Sequence, residues 1–93
     1  MDVAFMLTRV QVGDYDAWKP MFDADEPGVR SSASGYRVFR SADDPNEVFI
    51  AVEFDSREEA EAGRARLVGA GVLERFPDHN GPTVAELVEA KGA

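Results

Sequence analysis

The segment Glu47-Val48-Phe49-Ile50-Ala51-Val52-Glu53-Phe54 is apolar on both parities, and this limits the folds open to the chain. Val48, Ile50, Val52 and Phe54 make one face of a strand, while Phe49 and Ala51 belong to the other. A strand covered on one side only alternates apolar with polar residues. The N-terminal segment repeats the pattern, with Val3, Phe5 and Leu7 in one set and Met6, Val10 and Val12 in the other. A sheet of such strands needs cover on both faces, because each large apolar side chain left in water forgoes ~1.5–3 kcal/mol.

The rest of the chain says where one cover comes from. Val3 to Val12 reads as a strand ending at Gly13-Asp14. Asp14 or Asp16 can cap a following helix, whose Tyr15, Trp18 and Phe22 share one face with Met21 beside them. Pro20 places that helix start near Asp16 or distorts it, and Pro27-Gly28 interrupts the pattern again. Gly35 to Ser41 and Glu47 to Phe54 form a hairpin across the turn-rich Ala42-Asp43-Asp44-Pro45-Asn46. Ser56-Arg57-Glu58-Glu59 is a capping box, opening a helix to about Val68 with Ala60, Gly63 and Leu67 on one face. Val72 to Phe76 adds one turn, Asp78 to Gly81 reads as a polar loop, and Thr83 to Glu89 as the last strand.

The order is β-α-β-β-α-β, a ferredoxin-like α+β fold with a four-stranded antiparallel sheet. Right-handed crossovers put both helices on one sheet face and leave the other bare. A second copy of the same sheet is the simplest cover, so two sheets are expected to pack as a homodimer. The 93 residues make one domain, 1–93, and the absence of cysteine leaves association as the natural supplement to a small core. Glu53 shares parity with Phe49 and Ala51, so it is expected on that dimer face, paired with Arg37 or with an arginine of the other copy.

The formal charge of −8, with ten scattered Lys and Arg residues, argues against nucleic acid and anionic membrane surfaces as partners. Met1-Asp2-Val3 lacks a basic leader and no apolar run approaches ~18 residues, so the expected location is cytoplasmic. RNA-recognition domains share the element order, but their aromatic motif belongs on the third strand, here Val48 to Phe54.

The stretches Asp14-Tyr15-Asp16-Ala17-Trp18-Lys19-Pro20 and Gly35-Tyr36-Arg37-Val38-Phe39-Arg40, with the loop through Val48, resemble the dimeric α+β barrel superfamily. The likeness is to antibiotic-biosynthesis monooxygenase-like and cyclase-like small proteins, and it spans roughly Val3 to Val88. It implies two sheets packed face to face and a ligand site between helices and sheet in each subunit. Activities implied range from cofactor-free oxygenation of polycyclic phenols to haem degradation, lactone isomerisation and polyketide cyclisation. Fold alone selects none of them.

The candidate site residues follow. Trp18, the only tryptophan, is either a packed core residue or an aromatic wall for a planar ligand, with Tyr15 and Phe22 on the same stripe. His79 is the only histidine and the candidate general base, although its loop setting also suits a plain solvated side chain. Haem would need a histidine placed on a helix, and this one follows Pro77. Tyr36 and Arg40 share a strand face and could hold a phenol or carboxylate, Tyr36 with a catalytic role. Asp43-Asp44 and the group Asp23, Asp25 and Glu26 lack calcium-loop spacing, so no metal and no cofactor is expected. Two functions stand side by side: a pocket for an apolar or aromatic substrate with oxygenase or cyclase chemistry, and a noncatalytic homodimeric ligand-binding or interaction module.

Overall fold

A computed structural model describes residues 3–25, 28 and 30–92, so the expectations for Glu26 and Pro27 lie outside the described residues. Strand β1 is Ala4–Gln11, helix α1 Tyr15–Ala24, β2 Gly35–Arg40, β3 Glu47–Phe54, helix α2 Arg57–Gly69 and β4 His79–Glu86. A 3-10 turn, Val72–Arg75, links α2 to β4. The four strands form one antiparallel sheet in the order β2-β3-β1-β4, the ferredoxin-like arrangement expected from the element order.

The pairing settles which parity faces the helices. Met6 lies opposite Val52 and Val10 opposite Val48 on the covered side. Ala4, Met6, Val52, Phe54 and Ala60 make one buried cluster, and Val10, Val12, Trp18 and Val48 a second. The opposite parity carries Leu7, Phe39 and Phe49, which are 42%, 51% and 41% exposed in the single chain. The two-sided apolar pattern thus becomes one inner core and one bare apolar face. Glu53 lies on that bare face, as expected from its parity. Among the described residues no ion pair joins it to Arg37.

The two helices meet the sheet differently. Helix α2 turns Ala60 and Gly63 inward, and such small residues let its backbone come close. Ser56 caps it, its hydroxyl accepting from Glu59 N–H at 3.2 Å, which is the forward half of the expected capping box. Helix α1 turns Trp18, Met21 and Phe22 inward instead, and bulky side chains hold it off the sheet. Its cap is Asp14, whose carboxylate accepts from Asp16 N–H at 3.1 Å and Ala17 N–H at 3.3 Å. The helix begins at Tyr15, so Pro20 lies past the first turn rather than within it. The ring is exposed, which lets water satisfy the carbonyl that loses its partner there. Asp14→Ala is expected to lose about 1 kcal/mol, a fall of roughly 4–8 °C in Tm by circular dichroism, with Asp16→Ala much milder.

The last strand needs a correction. It runs His79–Glu86, not from Thr83, so His79 sits on a strand and not in a loop. The pairing with β1 shifts between Leu7 and Arg9: Leu7 faces Thr83, while Arg9 faces Asn80. Gly81 and Pro82 together stand opposite the single Thr8 in this bulge, on an edge strand where a missing N–H is tolerated. At the outer end of the sheet Arg9 binds Glu47 at 2.7 Å and Asp78 at 2.8 Å. The Arg9 hydrogen bond and charge hold the Asp78 carboxyl below its ordinary range.

Candidate ligand pocket

The stand-off of α1 leaves a cavity of about 450 Å³ between the two helices, the 3-10 turn and the covered sheet face. That is within the usual range of small-molecule sites, ~300–1,000 Å³. Met6, Thr8 and Val10 of β1 and Ile50 and Val52 of β3 form its floor. Trp18, Met21 and Phe22 descend from α1, Leu67 closes the α2 side, and Leu73, Arg75 and Phe76 come from the turn region. The wall is therefore mostly apolar, as the inward stripe of α1 requires.

The polar groups are few. Thr8 is 8% exposed, the one buried polar residue among those described. Its position between Met6 and Val10 turns the side chain to the covered face. No hydrogen bond engages its hydroxyl among the described residues, although a buried hydroxyl normally finds a partner. Thr8 lines the cavity and also borders a hollow on the bare face, and its hydroxyl is not sealed in protein. A bound molecule can supply the missing partner there.

Arg30, on the segment after α1, is a second polar group of the wall. Its guanidinium stacks 4.0 Å from the Phe22 ring centre and 4.7 Å from that of Tyr36, and it donates to the Phe22 carbonyl. Asp25, the left-handed C-cap of α1, lies 3.7 Å away in an ion pair. Arg30 thus locks the end of α1 over the sheet while only 11% of its side chain is exposed. Asp23, the other carboxylate of that region, is held by Lys19 at 2.7 Å.

The six residues singled out in the sequence separate into two groups. Trp18 and Phe22 line the cavity, their ring centres 4.9 Å apart. Tyr15, Tyr36, Arg40 and His79 stand outside the lining. Tyr15 and Tyr36 extend the aromatic stripe, at 5.8 Å from Trp18 and 5.6 Å from Phe22. Arg40 stacks 4.1 Å over Tyr15 and donates to the Pro45 carbonyl at 3.1 Å. The Nδ1 of His79 lies 2.6 Å from the Phe76 carbonyl, which can only accept, so Nδ1 carries the proton. Phe76 stands between that imidazole and the cavity in the sense that it, not His79, is part of the wall.

Sequence reasoning missed Thr8, Arg30 and Arg75. Thr8 had a signal, being the one polar residue of the Met6–Val10–Val12 parity set. Arg30 had none, because its partners Phe22 and Tyr36 meet only in the fold.

No family model matches the chain, and no curated protein matches it by sequence. Solved structures do match it over nearly its whole length. Rv0793 from Mycobacterium tuberculosis aligns with a TM-score of 0.65 and 19% identity, covering 100% of this chain and 99% of that one. HapK from Hahella chejuensis aligns at 0.59 and 13%, covering 100% and 96%. A provisionally assigned antibiotic biosynthesis monooxygenase from Chloroflexus aurantiacus J-10-fl aligns at 0.59 and 18%, covering 97% of each. The chain shares its fold with these three solved structures, in keeping with the fold that the sequence resemblance implied.

Proposed function

We propose that this chain is a small-molecule-binding protein whose cavity takes a largely apolar, aromatic-sized ligand bearing an oxygen function. The observation that carries the reading is the pairing of a 450 Å³ apolar cavity with the unpartnered Thr8 hydroxyl on its floor. Trp18 and Phe22 supply flat walls, and Thr8 fixes orientation by one hydrogen bond. A second copy of the chain covers the bare sheet face in this reading, where Leu7, Phe39 and Phe49 border a hollow of about 370 Å³.

Oxygenation or cyclisation of the bound molecule without a cofactor is the second reading, supported by the fold shared with a provisionally assigned monooxygenase. Binding without turnover stands ahead of it on geometry. The proposed base His79 and the proposed Tyr36 lie outside the wall, whereas a general base must come within hydrogen-bond reach of its proton. Oxygen uptake with an enolisable anthrone separates the two readings. Consumption above the uncatalysed rate that is lost in His79→Ala favours chemistry, and binding at the uncatalysed rate favours the module.

Trp18, as the only tryptophan, reports directly on the cavity. Titration with 9-anthracenemethanol is expected to quench its emission with saturation. Thr8→Val keeps shape and β-branching but removes the hydroxyl. It is expected to weaken binding by about three- to tenfold, the value of one neutral hydrogen bond of ~0.5–1.5 kcal/mol. Unquenched Trp18 across apolar aromatic probes would contradict the ligand-site reading.

A further inference from the structure

The cavity has a charge at its edge that the protein does not use. Arg75, on the 3-10 turn, lines the cavity and is itself exposed. Its contact across the cavity is with the Met21 sulfur, 3.7 Å from Nη1. A thioether is a weak acceptor, and a guanidinium carries five N–H donors. Among the described residues no carboxylate pairs with Arg75. The carboxylate of its neighbour Glu74 lies beside Gly71.

The other arginine of the wall is already committed. Arg30 is stacked between two rings, bonded to the Phe22 carbonyl and paired with Asp25, so its charge is met within the protein. Among the described residues the one carboxylate of the wall, Asp25, is the one in that pair. A net charge of −8 makes an uncompensated cation at a cavity edge a local reversal of sign. An apolar molecule with an acidic end fits both halves: its body in the cavity, its anionic oxygens at the mouth.

We propose that the ligand is an amphipathic carboxylate, and that Arg75 selects it by binding the carboxylate at the cavity mouth. The inference rests on the reading of the cavity as a ligand site and adds the chemical class of what enters. The planar guanidinium fork matches a carboxylate through two parallel N–H···O bonds, while Met21 gives way because its chain is unbranched and adaptable. Arg75 is a specificity residue here, with no part in a chemical step.

The test is a pair of probes with one body, anthracene-9-carboxylate and its methyl ester, titrated against Trp18 emission in the full chain. The carboxylate is expected to bind about tenfold more tightly than the ester, a preference that fades as salt is raised. Arg75→Gln is expected to abolish the preference while leaving the ester within about twofold of its original affinity. Arg75 is exposed, so this variant is expected to fold, and its unchanged circular dichroism and ester binding confirm that. Equal binding of acid and ester, or a preference that survives Arg75→Gln, would overturn the inference while leaving the cavity reading intact. Failure of both probes to bind would remove the cavity reading and this inference together.

Discussion

Gly81→Ala is expected to cost about 3 kcal/mol or more, a large part of the stability of a domain this size. Two separate features produce that result. Gly81 has φ +89°, a region that side-chain-bearing residues rarely adopt. A Cβ placed there would lie 2.6 Å from the Leu7 carbonyl oxygen and 3.0 Å from Thr83 N, both backbone atoms of the paired strands. Neither can move without opening the bulge. Since that bulge is opposite Thr8, the same change is expected to weaken ligand binding by displacing the cavity floor. Gly69→Ala is the control, with open space at its Cβ position and a site in helix α2. It is expected to stabilise by roughly 0.4–1 kcal/mol through the unfolded chain. Urea midpoints at constant slope measure both.

Phe49→Glu is expected to convert the proposed dimer into monomers at micromolar concentration, an affinity loss of at least ~100-fold. In a two-fold interface each copy presents the same patch, so the substitution enters twice and places carboxylates in an apolar contact. Phe49 belongs to the bare parity of β3, while the inner core is built from Val48, Val52 and Phe54 on the other. The variant monomer is therefore expected to keep its fold. Sedimentation velocity reads the outcome. A wild-type chain that is monomeric at hundreds of micromolar would show that the bare face is not covered by a second copy.

Strand parity is what the sequence exposes best. The apolar set of β3, the inward face of α2 through Ala60, Gly63 and Leu67, and the Ser56 cap are all local patterns, and each appears in the structure. The helix-capping acid was legible as one of two, Asp14 or Asp16, because both stand at the start of the same apolar stripe. Strand β4 was obscured by its own bulge: Gly81 and Pro82 read as breakers, although an edge strand accommodates both. That misreading also put His79 in a loop, whereas its register opposite Val10 makes it a strand residue. The cavity was half legible. Trp18 and Phe22 follow from the helical period, but whether they fill the space beneath or roof it depends on how far α1 stands from the sheet. That spacing emerges only when the bulky stripe packs in the fold, and Arg30, which stacks on Phe22 and Tyr36 there, comes from a segment with no periodic signal of its own.

Methyl-resolved NMR of the full chain, titrated with anthracene-9-carboxylate, locates a bound ligand on one face of the sheet or the other. The sheet separates two populations of methyl groups. Met6, Val52 and Leu67 line the cavity on the helix side alone, while Leu7 and Ala51 border only the hollow on the bare side. Saturable shifts and contacts to the ligand are expected in the first population alone. Shifts confined to Leu7 and Ala51, or none at any of these methyls, would contradict the ligand-site reading and show that the space under α1 holds no ligand.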